Sequence, residues 1–545
     1  MNCTSSEVLN QSTERVDYNL FSTHSALREA LAREGAAADD AALTALGAEL
    51  GSAASFALGE AANRHPPQLQ LFDRLGARRD EVEFHPAWHE LMRRLIGAGL
   101  HTGPWAEPRP GAHVARAAGY MLWAEIENGT QCPATMSYGA VPALEPQRQD
   151  FAAWLRLLLS REYDARFIPA TDKRGALFGM GMTERQGGSD VRTNTTRAVP
   201  AAARGPGREY RLTGHKWFFS APMCDAFLVL AQAEGGLSCF LVPRFLPDGS
   251  VNRIRLLRLK DKVGNRSNAS SEVEFDAAYG LLVAEEGRGV PAILTMGVYT
   301  RLDNAVASAG LMRQCVSQAI HHARQRRAFG RTLSCQPLMM NVLADLSLEC
   351  EAAVVLAMRL ARAFDARDDE QAGLLRRVLT PAAKYWICRR APTVCAEAME
   401  VLGGNGYVED FPLARRFRES PLNSIWEGSG NIMCLDVLRA LAREGVRAAL
   451  DALLESVRGA DERYDRFLAR LHRDLEMSAA SELRARDLTQ RIALAAQASL
   501  FLAHGPPASC EAFLASRIAT AAPAAFGTLP EHCDFDALTA RVLSA

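Results

Sequence analysis

A glutamate, Glu427, stands between an indole and two glycines in the string SIWEGSGNI, residues 424–432. Beside Trp426, in a site that a bound apolar ligand would dry out, a carboxylate binds a proton more readily, which suits proton abstraction next to a carbonyl. The same string is compatible with a helix N-cap, because Ser429 precedes an apolar run. A second string, GMGMTERQGGSD (179–190), carries Gly187 and Gly188, which let backbone approach a flat ligand, with Thr183, Ser189 and exposed N–H groups as donors. A strand-to-loop turn accounts for those glycines equally well. In GHKWFFS (214–220) an aromatic strand ends in the hydroxyl of Ser220. RQRRAFGRTLSCQP (324–337) places four arginines in eight residues around a Phe-Gly turn, and no acidic residue occurs from 304 to 344. Five arginines there, Arg313 included, therefore lack a partner close in sequence. They fit a diphosphate clamp, for which bidentate guanidinium is suited, and they equally fit a face that is solvated or paired with another helix. AMEVLGGNGY (398–407) closes a helical pattern with Gly403, Gly404 and Gly406, where a dinucleotide can pass close by.

The segments that must position these strings alternate in kind. From about residue 25 to 159 apolar residues recur at three- and four-residue spacing, as in ALREALAREG and HELMRRLIGAGL, which predicts a helical domain broken by Pro/Gly-rich stretches at 101–111 and 142–146. Between 177 and 275 short β-rich runs such as REYRLTGHKWFFS, DAFLVLAQ and LSCFLVPRF predict a β domain of about 100 residues. Long helical patterns return from 290 to about 441. A last segment is helical again, with Tyr464, Phe467, Leu468, Leu471 and Leu475 on one face. The expected domains are 1–176, 177–285, 286–442 and 443–545.

Composition removes whole classes. The 545 residues are 48% hydrophobic and 23% charged, with 62 Lys+Arg against 63 Asp+Glu, so disorder, collagen and a histone-like basic field are excluded. Only five of the cations are lysines, which reads as coding bias without functional weight. Twelve cysteines without a C-x-x-C pair indicate free thiols in a reducing compartment. The first twenty residues lack the apolar run of a signal peptide, and no run of about 18 apolar residues follows, so the expected location is cytoplasmic, with no membrane contact. No G-x-G-x-x-G opens a βαβ unit and no P-loop occurs. His85 and His89 have metal spacing, but Pro86 lies between them and no third ligand is evident, so both are read as structural and no metal is expected. His321 and His322 need none either.

Taken in this order, the strings resemble the acyl-CoA dehydrogenase family over about residues 120–441. That resemblance implies a mostly α fold with a small β domain: an N-terminal helical domain, a middle β-barrel-like domain and a C-terminal four-helix bundle, here with an extra C-terminal helical domain. It also implies FAD extended between domains and across a subunit interface of a homotetramer. By position, Met182, Thr183, Gly188 and Ser189 would lie at the flavin with Trp217 and Phe218, and Ser220 would bond near N5. Arg326, Phe329 and Gln336 would reach the diphosphate and adenosine end from a neighbouring subunit. Gly403 and Gly404 would line the same tail, and Trp426, Gly428 and Ser429 would flank the base. Glu427 matches the family's catalytic base, taking the α-proton of an acyl-CoA while flavin N5 receives the β-hydride. Some members carry the base before an arginine on an earlier helix, and here Thr300 precedes Arg301. Departures from the common pattern are Arg185 for proline, Phe218 with Trp217 beside it, and Glu400 and Met433 where glutamines are common.

Those departures, with the phrases MTERQGGSDV, LKDKVGNRSNAS and NSIWEGSGNIMCLDVLRAL, resemble the branch of the family that serves the adaptive response to DNA alkylation. The resemblance implies binding of double-stranded DNA, protection from alkylating agents and weak dehydrogenase activity. Arg439, Arg443 and Arg447 fall at i, i+4 and i+8, a spacing that would align three guanidiniums with a row of phosphates on one helix face. Arg376, Arg377, Arg389, Arg390, Arg415, Arg416 and Arg418 add to the candidates. Against this, residues 441–545 carry 12 Arg and 14 Asp+Glu, so the tail is not basic overall. The competing readings are a metabolic acyl-CoA dehydrogenase with a C-terminal extension and a scaffold that keeps flavin for stability.

Overall fold

The computed structural model describes residues 8–477, 482–520 and 525–543. The chain forms two compact units, one of Met1–Ala53, His113–Glu125 and Asn304–Ala545, the other of Ala54–Ala112 and Ile126–Asp303. Residues 8–53 and the described part of the C-terminal segment both belong with the bundle helices.

The second unit is built around strands. A hairpin of β1 (Gln68–Phe72) and β2 (Arg78–Glu83) precedes β3 (Phe178–Gly181), β4 (Arg197–Pro200), β5 (Glu209–Ser220), β6 (Ala226–Ala233), β7 (Gly236–Pro243), β8 (Ile254–Leu259) and β9 (Ser270–Val283). The hairpin lies inside the stretch read as helical, because its charged strand RRDEVE carries little periodic apolar signal. Strands β4, β5, β9, β7 and β6 pair in that order, and Arg197 opposite Gln232 returns β6 to β4, so five strands close on themselves. Strand β3 joins β6 in parallel and β8 lies on β9. Phe227–Leu230 and Cys239–Val242 are wholly buried on both faces, which explains why DAFLVLAQ and LSCFLVPRF read as apolar runs and not as alternations.

The first unit is helical. Its long helices include Pro337–Asp365, Glu370–Val401 and Gly430–Leu441, together with the part of Gly289–Gln325 that follows Asn304. Asp369 caps the second of these by accepting from the amides of Gln371 and Ala372 at 2.9 and 3.2 Å. The C-terminal segment docks through Ala485–His504 and Phe535–Val542. Trp386 Nε1 donates to Gln497 Oε1, Arg541 pairs with Glu351 at 2.7 Å, and Arg517 pairs with Asp345 and Glu349. Tyr464, Phe467, Leu468, Leu471 and Leu475 are buried, as their spacing predicts. Arg313 also finds a carboxylate, Glu125, at 2.8 Å and 188 residues away in sequence, with both side chains fully buried.

Among the described residues no single helix is long and apolar enough to cross a membrane. The eleven described cysteines are free, and only Cys335 is exposed.

Candidate active site

In the barrel unit the 179–190 string forms a tight turn. Glu184 and Gly187 exchange two backbone hydrogen bonds of 3.1 and 3.2 Å, and the amide of Trp217 donates to Thr183 O at 2.9 Å, tying the loop to β5. Met182 and Thr183 are half-buried while Gly188 and Ser189 are exposed. A Cβ at Gly188 would come within 3.0 Å of the Thr183 side chain, so glycine is what lets the loop fold over that threonine. Beneath the loop lies an ion pair with no exposure at all, Lys216 Nζ to Glu184 Oε1 at 2.7 Å. Glu184 also accepts from Thr195 N, Thr195 Oγ1, Thr196 N and Gln186 Nε2. Burial alone would raise its carboxyl, but the Lys216 ammonium and these donors outweigh it and hold it at about 2. Burial in turn pushes Lys216 down to about 8.

Strand β5 carries one extra residue relative to β9 between Lys216 and Phe219. This bulge turns Phe218 outward, 51% exposed, while Trp217 is half-buried beneath the Lys260 ammonium, 3.3 Å from its ring centroid. The Ser220 hydroxyl is 3.4 Å from that of Ser270, which accepts from Lys262 Nζ at 3.1 Å. An exposed aromatic on a bulge, a hydroxyl at the strand end and a loop closed by Gly188 are a fitting wall for a flat, polar-edged ring system.

In the helical unit Glu427 adopts φ +59° and Gly428 φ +101°. The left-handed conformation costs a non-glycine residue roughly 1–2 kcal/mol, so something must hold it. Lys384, buried on the Glu370–Val401 helix, donates to the carbonyls of Trp426 and Gly428 on either side. The indole is fixed as well: Trp426 Nε1 donates to Asn423 Oδ1 at 3.0 Å and Asn423 Nδ2 to Ser308 Oγ at 3.1 Å. Ser429 is the N-cap residue of Gly430–Leu441, so the capping alternative describes the same loop without displacing the glutamate from it. Met433 is fully buried against Tyr385, Cys434 and Ala485, so it serves packing, whereas Glu400 is exposed. The Thr300 hydroxyl donates to Gly297 O of its own helix.

The arginine string forms a two-stranded hairpin, Arg327–Ala328 with Arg331–Thr332. Phe329, at φ +50°, is 97% exposed at its tip, and Gln336 Nε2 braces the turn by donating to Ala328 O at 3.0 Å. Arg326 donates to Asn10 O and Arg324 to Leu543 O. Gly403, at φ +60°, and Gly404 have no neighbour within 4 Å of an added Cβ, which leaves that backbone open to approach.

The proposed arginine row is corrected by the structure. The helix carrying Arg439 ends at Leu441, Gly445 turns left-handed, and Arg447 begins a new helix where it pairs with Asp451 at 2.8 Å. The three guanidiniums therefore do not share one helix face, although Arg439 and Arg443 are exposed. Most of the other candidates are engaged: Arg377 with Asp436, Arg390 with Glu349, Arg418 with Glu409, and Arg415 and Arg416 buried. A row that sequence reasoning passed over lies on Glu462–Met477, where Arg466, Arg470 and Arg473 are exposed at i, i+4 and i+7, opposite the buried Tyr464, Phe467 and Leu471. His85 and His89 have structural partners. His85 caps the helix that starts at Pro86 and stacks on His65, and His89 Nδ1 bonds Tyr163 OH at 2.9 Å.

Three family models match the chain: the adaptive response protein AidB N-terminal domain over residues 10–165, the acyl-CoA dehydrogenase middle domain over 179–278 and the acyl-CoA dehydrogenase C-terminal domain over 287–442. The putative acyl-CoA dehydrogenase AidB of Escherichia coli is 50% identical over 509 residues, 93% of each chain. The crystal structure of Caenorhabditis elegans ACDH-11 in complex with C11-CoA is similar at a TM-score of 0.84 and 25% identity, covering 99% of this chain and 93% of that one. The Bd2924 apo-form is similar at a TM-score of 0.81 and 27% identity, covering 90% and 98%.

Proposed function

The chain belongs to the acyl-CoA dehydrogenase family, in its AidB branch, and from that membership we propose that it is a flavoprotein of the DNA alkylation response that binds and shields double-stranded DNA and retains weak acyl-CoA oxidation. It is an acyl-CoA dehydrogenase-like oxidoreductase with FAD as its cofactor. When bound, the flavin supplies a hydride acceptor at N5.

The observation that carries the chemical part is the strained Glu427. Its backbone is fixed on both sides by one buried ammonium, and its neighbour Trp426 is anchored through Asn423. A base held this way loses little orientational freedom when an α-proton comes within reach. On the barrel unit, Thr183, Gly188, Ser189 and Ser220 hold and orient the ring, and Phe218 excludes water from one face. Arg326, Phe329, Gln336, Gly403 and Gly404 serve the nucleotide end, and the exposed Phe329 is suited to a neighbouring copy in a homotetramer.

The DNA part is supported by kinship with the AidB branch and by two separate sets of exposed arginines, Arg439 with Arg443 and the row of Arg466, Arg470 and Arg473. Backbone contacts by such residues carry no sequence preference. Fluorescence anisotropy of the FAD-loaded protein with an unmodified duplex across a salt series tests it. Binding with a steep negative salt slope supports a phosphate-contacting surface. Absence of binding returns the chain to a metabolic dehydrogenase role, which the resemblance to the C11-CoA complex favours, and flavin bleaching by an acyl-CoA panel then decides.

A further inference from the structure

The barrel unit contains a half-open cavity of about 310 Å3, lined by no residue assigned to the flavin or to proton transfer. Its wall joins the β1–β2 hairpin, the helix Pro86–Gly97, the loop after Tyr163 and the turn that follows β5. The volume stands at the lower end of the roughly 300–1,000 Å3 typical of small-molecule sites, which sets the occupant at one or two rings.

The chemistry of the wall selects further. Phe84 stacks on Trp88 with ring centroids 4.8 Å apart and 17° between planes, and Val82, Met92, Leu177 and Met223 complete an apolar floor. Phe84, Tyr163, Leu177 and Met223 are only half-buried, so the surface they keep open is apolar surface. One polar pair faces it, His89 Nδ1 with Tyr163 OH at 2.9 Å. Burial lowers the His89 imidazole and raises the Tyr163 phenol, which leaves both neutral at physiological pH. The charges around the cavity are matched among themselves: Arg79 with Glu81 at 2.9 Å, Arg166 with Asp164 at 2.6 Å and Lys173 with Asp225 at 2.6 Å, while Glu83 accepts from Gln70 at the rim. Away from the rim carboxylate of Glu83, a charged guest would find every counter-ion of the wall already engaged, whereas a neutral one loses nothing by that.

We propose that this cavity binds an uncharged, planar ligand of one or two rings that carries a single hydrogen-bonding group, a phenol or small heteroaromatic, with the ring against Phe84 and the polar group on the His89–Tyr163 pair. The site is independent of the proton-abstracting loop and does not rest on the reading of that loop.

The probe is 4-fluorophenol, observed by fluorine NMR line broadening with the FAD-loaded full-length protein. Fluorobenzene tests the polar group, and 4-fluorobenzoate and 4-fluorophenyl-trimethylammonium test charge. We expect saturable binding of 4-fluorophenol and weak or no binding of either ion, with the flavin absorbance unchanged. Tyr163→Phe should weaken 4-fluorophenol roughly three- to tenfold, the worth of one hydrogen bond, and leave fluorobenzene unaffected, which a merely structural loss would not do. Leu177→Trp should fill the cavity and abolish both at unchanged melting temperature. The proposal is overturned if no neutral probe binds the wild type, if either ion binds more tightly than the phenol, or if a folded Leu177→Trp variant binds as the wild type does.

Discussion

Replacing Lys216 by Met would leave the Glu184 carboxylate fully buried under the 182–190 loop without its cation. The size of the loss can be worked from the site. Glu184 sits at about 2 in the folded chain against 4.5 ordinarily, a difference of about 2.5 units, or about 3 kcal/mol between its two protonation states. Because the folded value is the lower one, this stabilisation is present above pH 4.5 and is lost as pH falls from there towards 2. Removing the ammonium, the larger of the forces that lower it, leaves an uncompensated buried charge, for which about 3–5 kcal/mol is expected. Combining Lys216→Met with Glu184→Gln removes both charges, so the double variant should be more stable than Lys216→Met alone, with a retained amide acceptor for part of the Thr195 and Thr196 bonding. Urea unfolding followed by circular dichroism, with FAD release followed by flavin fluorescence, gives both the midpoints and the state of the loop. The single variant should unfold earlier and release FAD earlier. Were Lys216→Met to cost less than about 1 kcal/mol, or the double variant to be no more stable than it, the argument from buried charge would be refuted.

Glu427→Gln should abolish acyl-CoA-dependent flavin reduction while FAD stays bound; anaerobic flavin bleaching at the wild-type rate would remove Glu427 as the base. Lys384→Met frees the carbonyls of Trp426 and Gly428 and lets the strained glutamate relax, so the bleaching rate should drop roughly ten- to hundredfold at unchanged FAD content. An unaltered rate in that variant would mean the loop holds itself. Arg466→Asp with Arg470→Asp should weaken duplex binding and flatten its salt slope by about 2, whereas Arg447→Asp, already engaged with Asp451, should change it little. Equal salt slopes in all three proteins would place the DNA surface elsewhere.

The barrel was readable because its strands are apolar runs cut by Gly, Pro, Asp and Asn, and the apolar face of Glu462–Met477 because five side chains keep helical spacing. The β1–β2 hairpin was not, since half of it is charged and its pairing is local backbone chemistry. Arginine spacing misled for a related reason: Arg439, Arg443 and Arg447 count as a helix only if the helix continues, and the left-handed Gly445 decides that it does not. Arg313 lacked a partner in sequence because its carboxylate lies 188 positions away. The glutamate of the W-E-G-S-G string was visible, but the residue that strains it into place was not. Lys384 sits in an ordinary helical run, and what marks it is rarity, one lysine among five in an arginine-rich chain.

That rarity has a chemical side. Lys173, Lys216 and Lys384 are buried, Lys260 and Lys262 are half-buried, and each ammonium is occupied with a carboxylate or a carbonyl, so the scarcity first read as coding bias is sorted by position. Thioesters acylate free amines spontaneously, and an enzyme that handles them exposes its own lysines to that reaction. Guanidinium, protonated throughout the physiological range, is a poor nucleophile. A surface whose positive charge is carried almost wholly by arginine therefore offers few free amines to any reactive thioester.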